Sequence, residues 1–413
     1  MSLAKEFFVA DAEEKKVLSF KIHTLIEDIS ERFYKITEAG TRSDCLNRAS
    51  RILGTLFLLT PFEDPTAPLV NKKFKVLYRS VTSIRFLDEL LFQGKCKSSY
   101  MQKYWHGERR FVDTDAGKTY KEMFVKPIVY SIFCELAGFE HPQSLRILQG
   151  DKEETLKDEF RVLEPDERDR LKNISLEAGN DLLTAVLQAR METNQFDEKV
   201  PGSDIDFASF SRSITNHTYN SNKELGSAFK ISQIYTSSII PSRRKLSRTD
   251  SVKTLSYISS HVKKGIIQTS IASRFFAMFG LFPQGFGVTC INEKEKNRGK
   301  FAYEMAIVNK LYPDHIVSPH CRVVTRQKGF DRGFSDMTIK KDKNLYFPVT
   351  QNSINKKEHE ETLKKMLRQG DDLEEMLNMA FPRFWEPNDY YAKRECSLWS
   401  NISYEFSDEV AAA

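Results

Sequence analysis

The compact motifs that identify many enzymes are missing from this sequence. It contains no GxxxxGKS/T, GxGxxG, HExxH or GxSxG motif and no kinase signature, so the P-loop, dinucleotide-binding, zinc-protease and serine-hydrolase classes are disfavoured. Its six cysteines are spread over 413 residues without a CxxC pair, which favours reduced thiols over a disulfide framework or a zinc site. The cysteines are Cys45, Cys96, Cys134, Cys290, Cys321 and Cys396.

Long apolar runs and a dominant sign of charge are also missing. The apolar stretch at 270–282 contains Arg274 and is shorter than the roughly 20 residues that a membrane-spanning helix needs. The N-terminal segment carries acidic residues where a secretion signal needs a basic start and an apolar core. Lys and Arg number 62 against 57 Asp and Glu, too mild an excess to require nucleic acid. These features predict a cytoplasmic protein without a membrane span.

Apolar residues recur at helical spacing from about residue 13 to residue 190. Segments 13–36, 48–62 and 75–92 each place them three and four residues apart, which predicts amphipathic helices. Pro165, followed by acidic residues, predicts the start of another helix. The apolar face predicted for the first segment consists of Val17, Phe20, Ile22, Leu25, Ile26, Ile29 and Phe33. We therefore predict a mainly α protein that begins with a helical bundle.

The pattern changes after Pro283 from helical spacing to short β-branched or aromatic runs. Such runs, separated by turn-forming residues, predict a small β-rich, barrel-like module. They lie at 286–292, 301–309, 321–327, 336–340 and 345–350. The segment LFPQGFG at 281–287 opens this module, and its glycines are expected to supply turns with positive φ.

Four domains follow from these changes of pattern. A polar segment at 192–204, which includes Pro201 and Gly202, is the predicted linker. The predicted domains are a helical bundle at 1–195, a second helical region at 205–280, the β-rich module at 281–352, and a C-terminal helix with an aromatic tail at 353–413.

Candidate metal and acid/base residues are scattered. His315, His320 and Cys321 lie within seven residues, but the second pair of ligands that zinc usually requires is missing. Asp331, Asp336 and Lys340 could form a nuclease-like set, although scattered acids and lysines of this kind are common. No catalytic residue and no cofactor is therefore assigned.

A basic loop rich in hydroxyl groups, at 241–251, is the candidate phosphate site. Arginine, with serine and threonine donors beside it, can hold a phosphate group through several hydrogen bonds. The predicted phosphate or nucleotide contacts are Arg243, Arg244, Lys245 and Arg248. A solvated loop, or a loop whose serines are themselves modified, would have the same composition.

Residues 229–325 resemble the HD-GYP branch of the HD phosphohydrolase superfamily, whose members hydrolyse cyclic di-GMP at metal ions held by histidines and aspartates. The matching residues are Ile240-Pro241, Lys245-Leu246, His261 with Gly265 four residues on, Phe282-Pro283-Gln284-Gly285, and then "AIVN", Pro319 and "CRVVT" in the β-rich tail. The resemblance implies an HD-type helical region followed by a β-rich tail.

The residues that would make such a protein catalytic are not found in the expected places. The segment where the family has its His-Asp dyad reads SQIYTSS at 232–238, and the second histidine pair and the GYP motif are missing. His217 and His261 remain as weak candidate metal ligands, and one or two histidines cannot hold a binuclear centre that activates water. The resemblance thus implies a degenerate bacterial signalling protein, a non-catalytic regulator or adaptor, with cyclic di-GMP as its candidate ligand and a protein as its partner.

Three other functions stay open at this point. The chain could be a scaffold that binds only protein through its aromatic C-terminal segment. It could bind nucleic acid through the basic segments 294–298, 325–332 and 340–343 of the β-rich module. It could also be a divergent metal-dependent phosphodiesterase that uses His217 and His261.

Overall fold

The computed structural model of the chain describes residues 1–62, 67–150, 163–194, 203–219, 221–241, 247–291, 303–324, 336–352 and 382–387. Two compact units are distinguished by their internal contacts. The helical unit comprises Met1–Ala49 and Thr60–Ser273, and the sheet unit comprises Ser50–Leu59 and Arg274–Ala413. The prediction of a mainly α protein with a small β-rich part is confirmed. The helical unit includes helices from both sides of residue 205, for example Ala12–Thr37 and Glu224–Ile239.

The helices follow one another along the chain. They are α1 Ser2–Val9, α2 Ala12–Thr37, α3 Arg42–Leu59, α4 Ala67–Phe92, α5 Ser99–Trp105, α6 Thr114–Tyr120, α7 Lys126–Ala137, α8 Pro142–Gln149, α9 Pro165–Asn194, α10 Ser203–Tyr219, α11 Glu224–Ile239, α12 Thr254–Lys263 and α13 Thr269–Phe279. Shorter 3₁₀ segments occupy Gly107–Phe111, Gly138–Glu140 and Arg248–Lys253, and a π-helical turn at Lys121–Val125 joins α6 to α7. None of the helices among the described residues is both long and apolar enough to cross a membrane.

Helix α2 shows how local sequence and packing combine. The Asp11 carboxylate caps its start, because it accepts hydrogen bonds from the backbone N–H groups of Glu13 and Glu14 at 3.0 and 2.9 Å, groups that have no partner within the helix. Val17, from the predicted apolar face, is 56% exposed. The buried stripe is Ser19, Ile22, His23, Ile26, Ser30, Phe33 and Thr37. The predicted apolar face is therefore confirmed for Ile22, Ile26 and Phe33. The rest of the buried stripe includes the small polar residues Ser19, Ser30 and Thr37.

Helix α4 carries two arginines into the interior of the helical unit. The Arg79 guanidinium donates to both carboxylate oxygens of Glu135 on α7, at 2.8 and 2.7 Å. Arg85 donates to Glu38 and, at 3.4 Å, to Asp88. Both arginines are almost completely buried. Because an isolated buried charge is very unfavourable, these carboxylates determine how α4 packs.

Asp88 is a second buried carboxylate that contacts several side chains. Its Oδ1 accepts from Trp105 Nε1 at 2.6 Å and pairs with Arg110 Nη2 at 2.7 Å. Burial alone would raise the pKa of Asp88, but Arg110 and Arg85 outweigh burial and lower this pKa to about 2. The 3₁₀ segment that contains Arg110 is thereby tied to α4.

Glu27 of α2 joins two other helices, α7 and α9, in the same way. It accepts from Tyr130 on α7 at 2.5 Å and from Arg190 on α9 at 2.7 Å, and it pairs with Lys126 at 2.5 Å. Burial would raise the pKa of Glu27, but Lys126 and Arg190 lower it to about 2. The folded state therefore stabilises the ionised form of Glu27.

The sheet unit contains a four-stranded antiparallel sheet in the order β1-β2-β3-β4. Its strands are β1 Gly287–Ile291, β2 Tyr303–Val308, β3 His320–Val323 and β4 Asp336–Thr338. The register places Cys290 opposite Glu304, Ile307 opposite Arg322, and Cys321 opposite Met337. Since β1 and β4 do not pair among the described residues, the sheet is open rather than a closed barrel.

The fifth predicted strand, at 345–350, is wrong. Leu345 N–H still donates to Thr289 O at 2.9 Å beside β1, but a short helix, α14, begins at Pro348 and ends at Asn352. Proline has no N–H to give to a sheet and is well tolerated at the first position of a helix. The apolar pattern alone did not reveal this change.

The segment 281–287 brings aromatic side chains together within the sheet unit. Gly285 has a φ of +87°, and a side-chain Cβ at this position would lie 2.8 Å from Gly54 O, so both its conformation and its close packing require glycine. The ring of Phe286 lies 6.5 Å from that of Phe57 and 5.3 Å from that of Phe282. The expected turn with positive φ is confirmed at Gly285, which is also a packing site, whereas Gly287 lies in strand Gly287–Ile291 without a positive φ.

Replacing Asp88 with Asn should lower the free energy of unfolding by about 3–5 kcal/mol, because Arg110 then loses its buried ion-pair partner and Arg85 keeps only Glu38. The matched control is Asp28→Asn, which removes the exposed Arg32–Asp28 pair and should cost less than about 1 kcal/mol. Urea denaturation at pH 7 measures both. Equal effects of the two substitutions would contradict the role assigned to buried charge.

Glu27 should make the fold sensitive to acid. Because its pKa is lower in the folded state, its contribution to stability is complete above about pH 4.5 and is lost as the pH falls towards 2; the difference corresponds to about 3 kcal/mol. Between pH 5 and pH 2, the wild-type protein should therefore lose about 3 kcal/mol more than Glu27→Gln. Denaturation curves across this range test the prediction, and parallel losses would refute it.

Candidate functional site

A cavity of about 480 Å³ lies within the helical unit. Its walls come from α4, α7, α11 and α12, with contributions from α8 and the 3₁₀ segment after α7. This volume falls within the range of about 300–1,000 Å³ that is typical of small-molecule sites. The apolar part of the wall consists of Leu136, Phe139, Leu148 and Ile234.

Helix α4 supplies the positive charge of the cavity. Lys72, Lys75 and Arg79 all line it, because residues three, four and seven apart lie on one side of a helix. Two carboxylates, Glu135 and Glu140, face them. Among the described lining residues, three cationic side chains of α4 therefore face two carboxylates.

Both carboxylates of the cavity are held in ion pairs. Glu135 binds Arg79 through two hydrogen bonds and also accepts from Gln233 Nε2 at 2.7 Å. Glu140 pairs with Lys72 at 3.1 Å and with Lys5 at 3.2 Å. These contacts fix the carboxylates as acceptors for the protein's own cations.

Glu140 Oε2 on the cavity wall accepts no hydrogen bond but forms an ion pair with Lys5. Two other buried polar atoms on the wall also have no hydrogen-bond partner among the described residues. They are Nε of Arg79 and Oγ1 of Thr236, and the two residues are only 1% and 2% exposed. An unpaired buried donor or acceptor costs about 1–3 kcal/mol, and such groups in native proteins call for an explanation. A ligand that offers an acceptor to Arg79 and a polar group to Thr236 would remove that cost.

Helices α11 and α12 form the polar side of the cavity. Gln233, Ser237 and Ser238 lie on α11, and Tyr257 and His261 lie one turn apart on α12. His261 Nδ1 lies 2.9 Å from Tyr257 O, the backbone carbonyl one turn earlier. Tyr257 is 50% exposed, so its ring stands at the solvent side of this wall.

The predicted phosphate contacts fall in two groups. Arg243, Arg244 and Lys245 lie outside the described residues. Arg248 is 5% exposed, its Nη2 donates to Thr60 O at 2.9 Å, and its guanidinium carbon lies 4.7 Å from the centroid of the Phe62 ring. Arg248 thus anchors its own segment, and its predicted contact with a nucleotide stays a prediction.

The two candidate metal ligands have different places in the helical unit. His261 lines the cavity, whereas His217 lies near the end of α10 and is not part of its lining. Burial lowers the pKa of His217. In the part of the chain that the structure describes, no three His, Cys, Asp or Glu side chains are grouped so that they could hold a metal ion.

The other candidates considered from the sequence have structural partners. His320 contacts Asp314 at 3.1 Å and Thr338 at 2.9 Å. Asp336 accepts two hydrogen bonds from Arg322, at 2.7 and 2.9 Å. Asp331 lies outside the described residues. The five cysteines that the structure describes are buried.

Sequence reasoning missed the cavity itself. A signal was present, because Lys72, Lys75 and Arg79 are basic residues at helical spacing on a helix with no acidic residue before Asp88. That signal could not show which other helices would face them. Nothing in the sequence points to Thr236, because its hydroxyl group matters only through being buried without a hydrogen-bond partner.

Replacing Thr236 with Val should raise the free energy of unfolding of the unliganded protein by about 1 kcal/mol, because a buried hydroxyl without a partner is removed. The matched control is Thr218→Val. Thr218 is also fully buried, but its hydroxyl donates to Ile214 O at 2.9 Å, so this substitution should destabilise the protein. Urea denaturation of both variants gives the sign, and destabilisation by Thr236→Val would contradict the assignment.

Comparisons of the chain with protein-family models, with curated proteins and with solved structures find no match. The likeness of residues 229–325 to the HD-GYP branch therefore stays a prediction from the sequence. The evidence for a function therefore lies in the residues of the cavity.

Proposed function

We propose that this chain is a non-catalytic regulatory protein whose helical unit binds a small anionic ligand, of nucleotide type, in the cavity. The observation that carries the proposal is the pair of buried, unpartnered polar atoms on the cavity wall, Nε of Arg79 and Oγ1 of Thr236. Arg79 Nε can only donate a hydrogen bond, so its missing partner must be an acceptor.

The charge and the shape of the cavity support an anion with an apolar or aromatic body. Lys75 is a third cationic side chain in the lining, on the same side of α4 as Lys72 and Arg79. The rings of Phe139 and Tyr257 offer surfaces on which a planar group can pack. A nucleotide combines a planar base with an anionic phosphate and satisfies both requirements.

The resemblance to the HD-GYP branch supports cyclic di-GMP as the first ligand to test. The segment 232–238, which stands where that family has its His-Asp dyad, provides Gln233, Thr236 and Ser237 to the cavity, and His261 comes from the same region of resemblance. The proposal includes a cytoplasmic location and a protein partner that responds to the bound state.

A non-catalytic role is proposed because both carboxylates among the described lining residues are already bound to cations. Glu135 and Glu140 are both held in ion pairs, and His261 is the one histidine among the described lining residues. A general base has to be within hydrogen-bond reach of the proton that it removes and must be available to accept it. Recognition of a ligand needs no such group.

Calorimetric titration with cyclic di-GMP and, in parallel, with GMP at physiological salt tests the proposal. Binding at micromolar or tighter affinity is expected for at least one of them. Lys75→Met should weaken binding about tenfold or more, because a charged hydrogen bond contributes about 1.5–3 kcal/mol. The control is Lys21→Met, which removes an exposed lysine on α2.

The outcomes separate the cavity from the basic loop. No binding of either nucleotide, or equal affinities of Lys75→Met and Lys21→Met, would refute the proposed site. The double substitution Arg243→Ala, Arg244→Ala tests the loop predicted from the sequence. If this double variant loses affinity while Lys75→Met retains it, the loop rather than the cavity holds the phosphate.

A further inference from the structure

Lys230 lies behind the cavity wall and is connected to it. It is on α11, three residues before Gln233, and its Nζ donates to Gln233 Oε1 at 2.8 Å. The other end of the same amide, Nε2, donates to Glu135 Oε1 at 2.7 Å. Gln233 and Glu135 line the cavity, whereas Lys230 does not. The amide therefore links Lys230 to the carboxylate that pairs with Arg79.

The orientation of Gln233 is determined by these two contacts. Its oxygen faces a cationic donor and its nitrogen faces a carboxylate, which is the orientation that gives both neighbours a hydrogen bond. Because Glu135 is also bound by Arg79 at 2.7 and 2.8 Å, the four side chains form a continuous chain of contacts. A change of charge at one end is felt at the other end through a buried path.

The surroundings of Lys230 contain more positive than negative charge. Arg79 from α4 and Lys172 from α9 act against its protonated form, and Glu135 from α7 favours it. From α10, Tyr219 presents its ring, 5.7 Å from Lys230 Nζ and 5.4 Å from Lys172 Nζ, and burial raises the pKa of its phenol. Burial first, with Arg79 and Lys172 in addition, lowers the pKa of Lys230 to about 8.

We propose that an anion bound in the cavity favours the protonated form of Lys230, so that binding is accompanied by the uptake of up to one proton on this residue. The inference rests on the proposed function, because it concerns the regulation of the same site. With Lys230, Lys172 and Arg79 charged, Glu135 is the one carboxylate in this group, so an anion beside Arg79 supplies the missing negative charge. Binding and protonation therefore favour each other, as linkage requires.

The sign of the pH dependence follows from this coupling. Below about pH 7, Lys230 is already protonated, so binding takes up no proton and affinity is highest. As the pH rises through its pKa of about 8, the free protein loses the proton that the complex retains, and affinity falls. A rise of one unit in this pKa on binding corresponds to about a tenfold loss of affinity at high pH.

A covalently attached anion tests the coupling without any ligand. Thr236→Glu places a carboxylate on the cavity wall, and Ser237→Glu places one at its exposed side. The titration of Lys230 is followed by NMR of protein with ¹³C-labelled lysine, and its signal is identified by its loss in Lys230→Arg. We expect the midpoint to rise by about one unit in at least one folded variant.

Thr24→Glu, at an exposed position on α2 away from the cavity lining, is the matched control and should leave the Lys230 midpoint unchanged. Circular dichroism establishes which variants are folded, and Ser237→Glu keeps the test valid if the buried substitution prevents folding. An unchanged midpoint in Ser237→Glu and in a folded Thr236→Glu overturns the inference. An equal rise in Thr24→Glu overturns it as well.

Calorimetry with cyclic di-GMP or GMP at pH 8, in buffers of different ionisation enthalpy, measures the proton uptake directly. We expect the observed enthalpy to depend on the buffer in the wild type and to become independent of it in Lys230→Met. Binding without proton uptake refutes the coupling and leaves the proposed function standing. Lack of binding refutes the proposed function, and the titration of the glutamate variants then decides the coupling alone.

Discussion

Cations buried along α4 need carboxylates from other parts of the chain, and this requirement organises the helical unit. Arg79 is paired with Glu135 of α7, and Arg85 with Glu38, which follows the end of α2. An uncompensated buried charge is so unfavourable that α4 can be central only if these partners are in place. Hydrophobic burial supplies most of the driving force, but the ion pairs determine which helices meet.

The same pairing leaves a site with unusual chemistry. Glu135 uses its oxygens for Arg79 and Gln233, so Arg79 is held rigidly while its Nε points to no partner among the described residues. A guanidinium fixed in this way is prepared for an acceptor without further loss of conformational entropy. The architecture of the unit and its candidate function thus depend on one interaction.

Lys230 extends this arrangement to a group whose pKa of about 8 is close to physiological pH. Most buried cations of the helical unit have carboxylate partners that favour the charged form, as Lys126 has in Glu27. Lys230 instead has the amide of Gln233 as its hydrogen-bond acceptor. The proposed coupling between Lys230 and a bound anion depends on this difference.

Periodicity determined the elements of this protein, and tertiary structure decided its site. The spacing of apolar residues was sufficient for the mainly α class, for the buried Ile22, Ile26 and Phe33 of α2 and for four of the five predicted strands, because local backbone geometry sets these patterns. It was not sufficient for 345–350, where Pro348 begins a helix. The cavity depends on Arg79, Glu135 and Thr236, which come from three helices. Their significance lies in burial and in which partner each atom has, and both are properties of the packed chain.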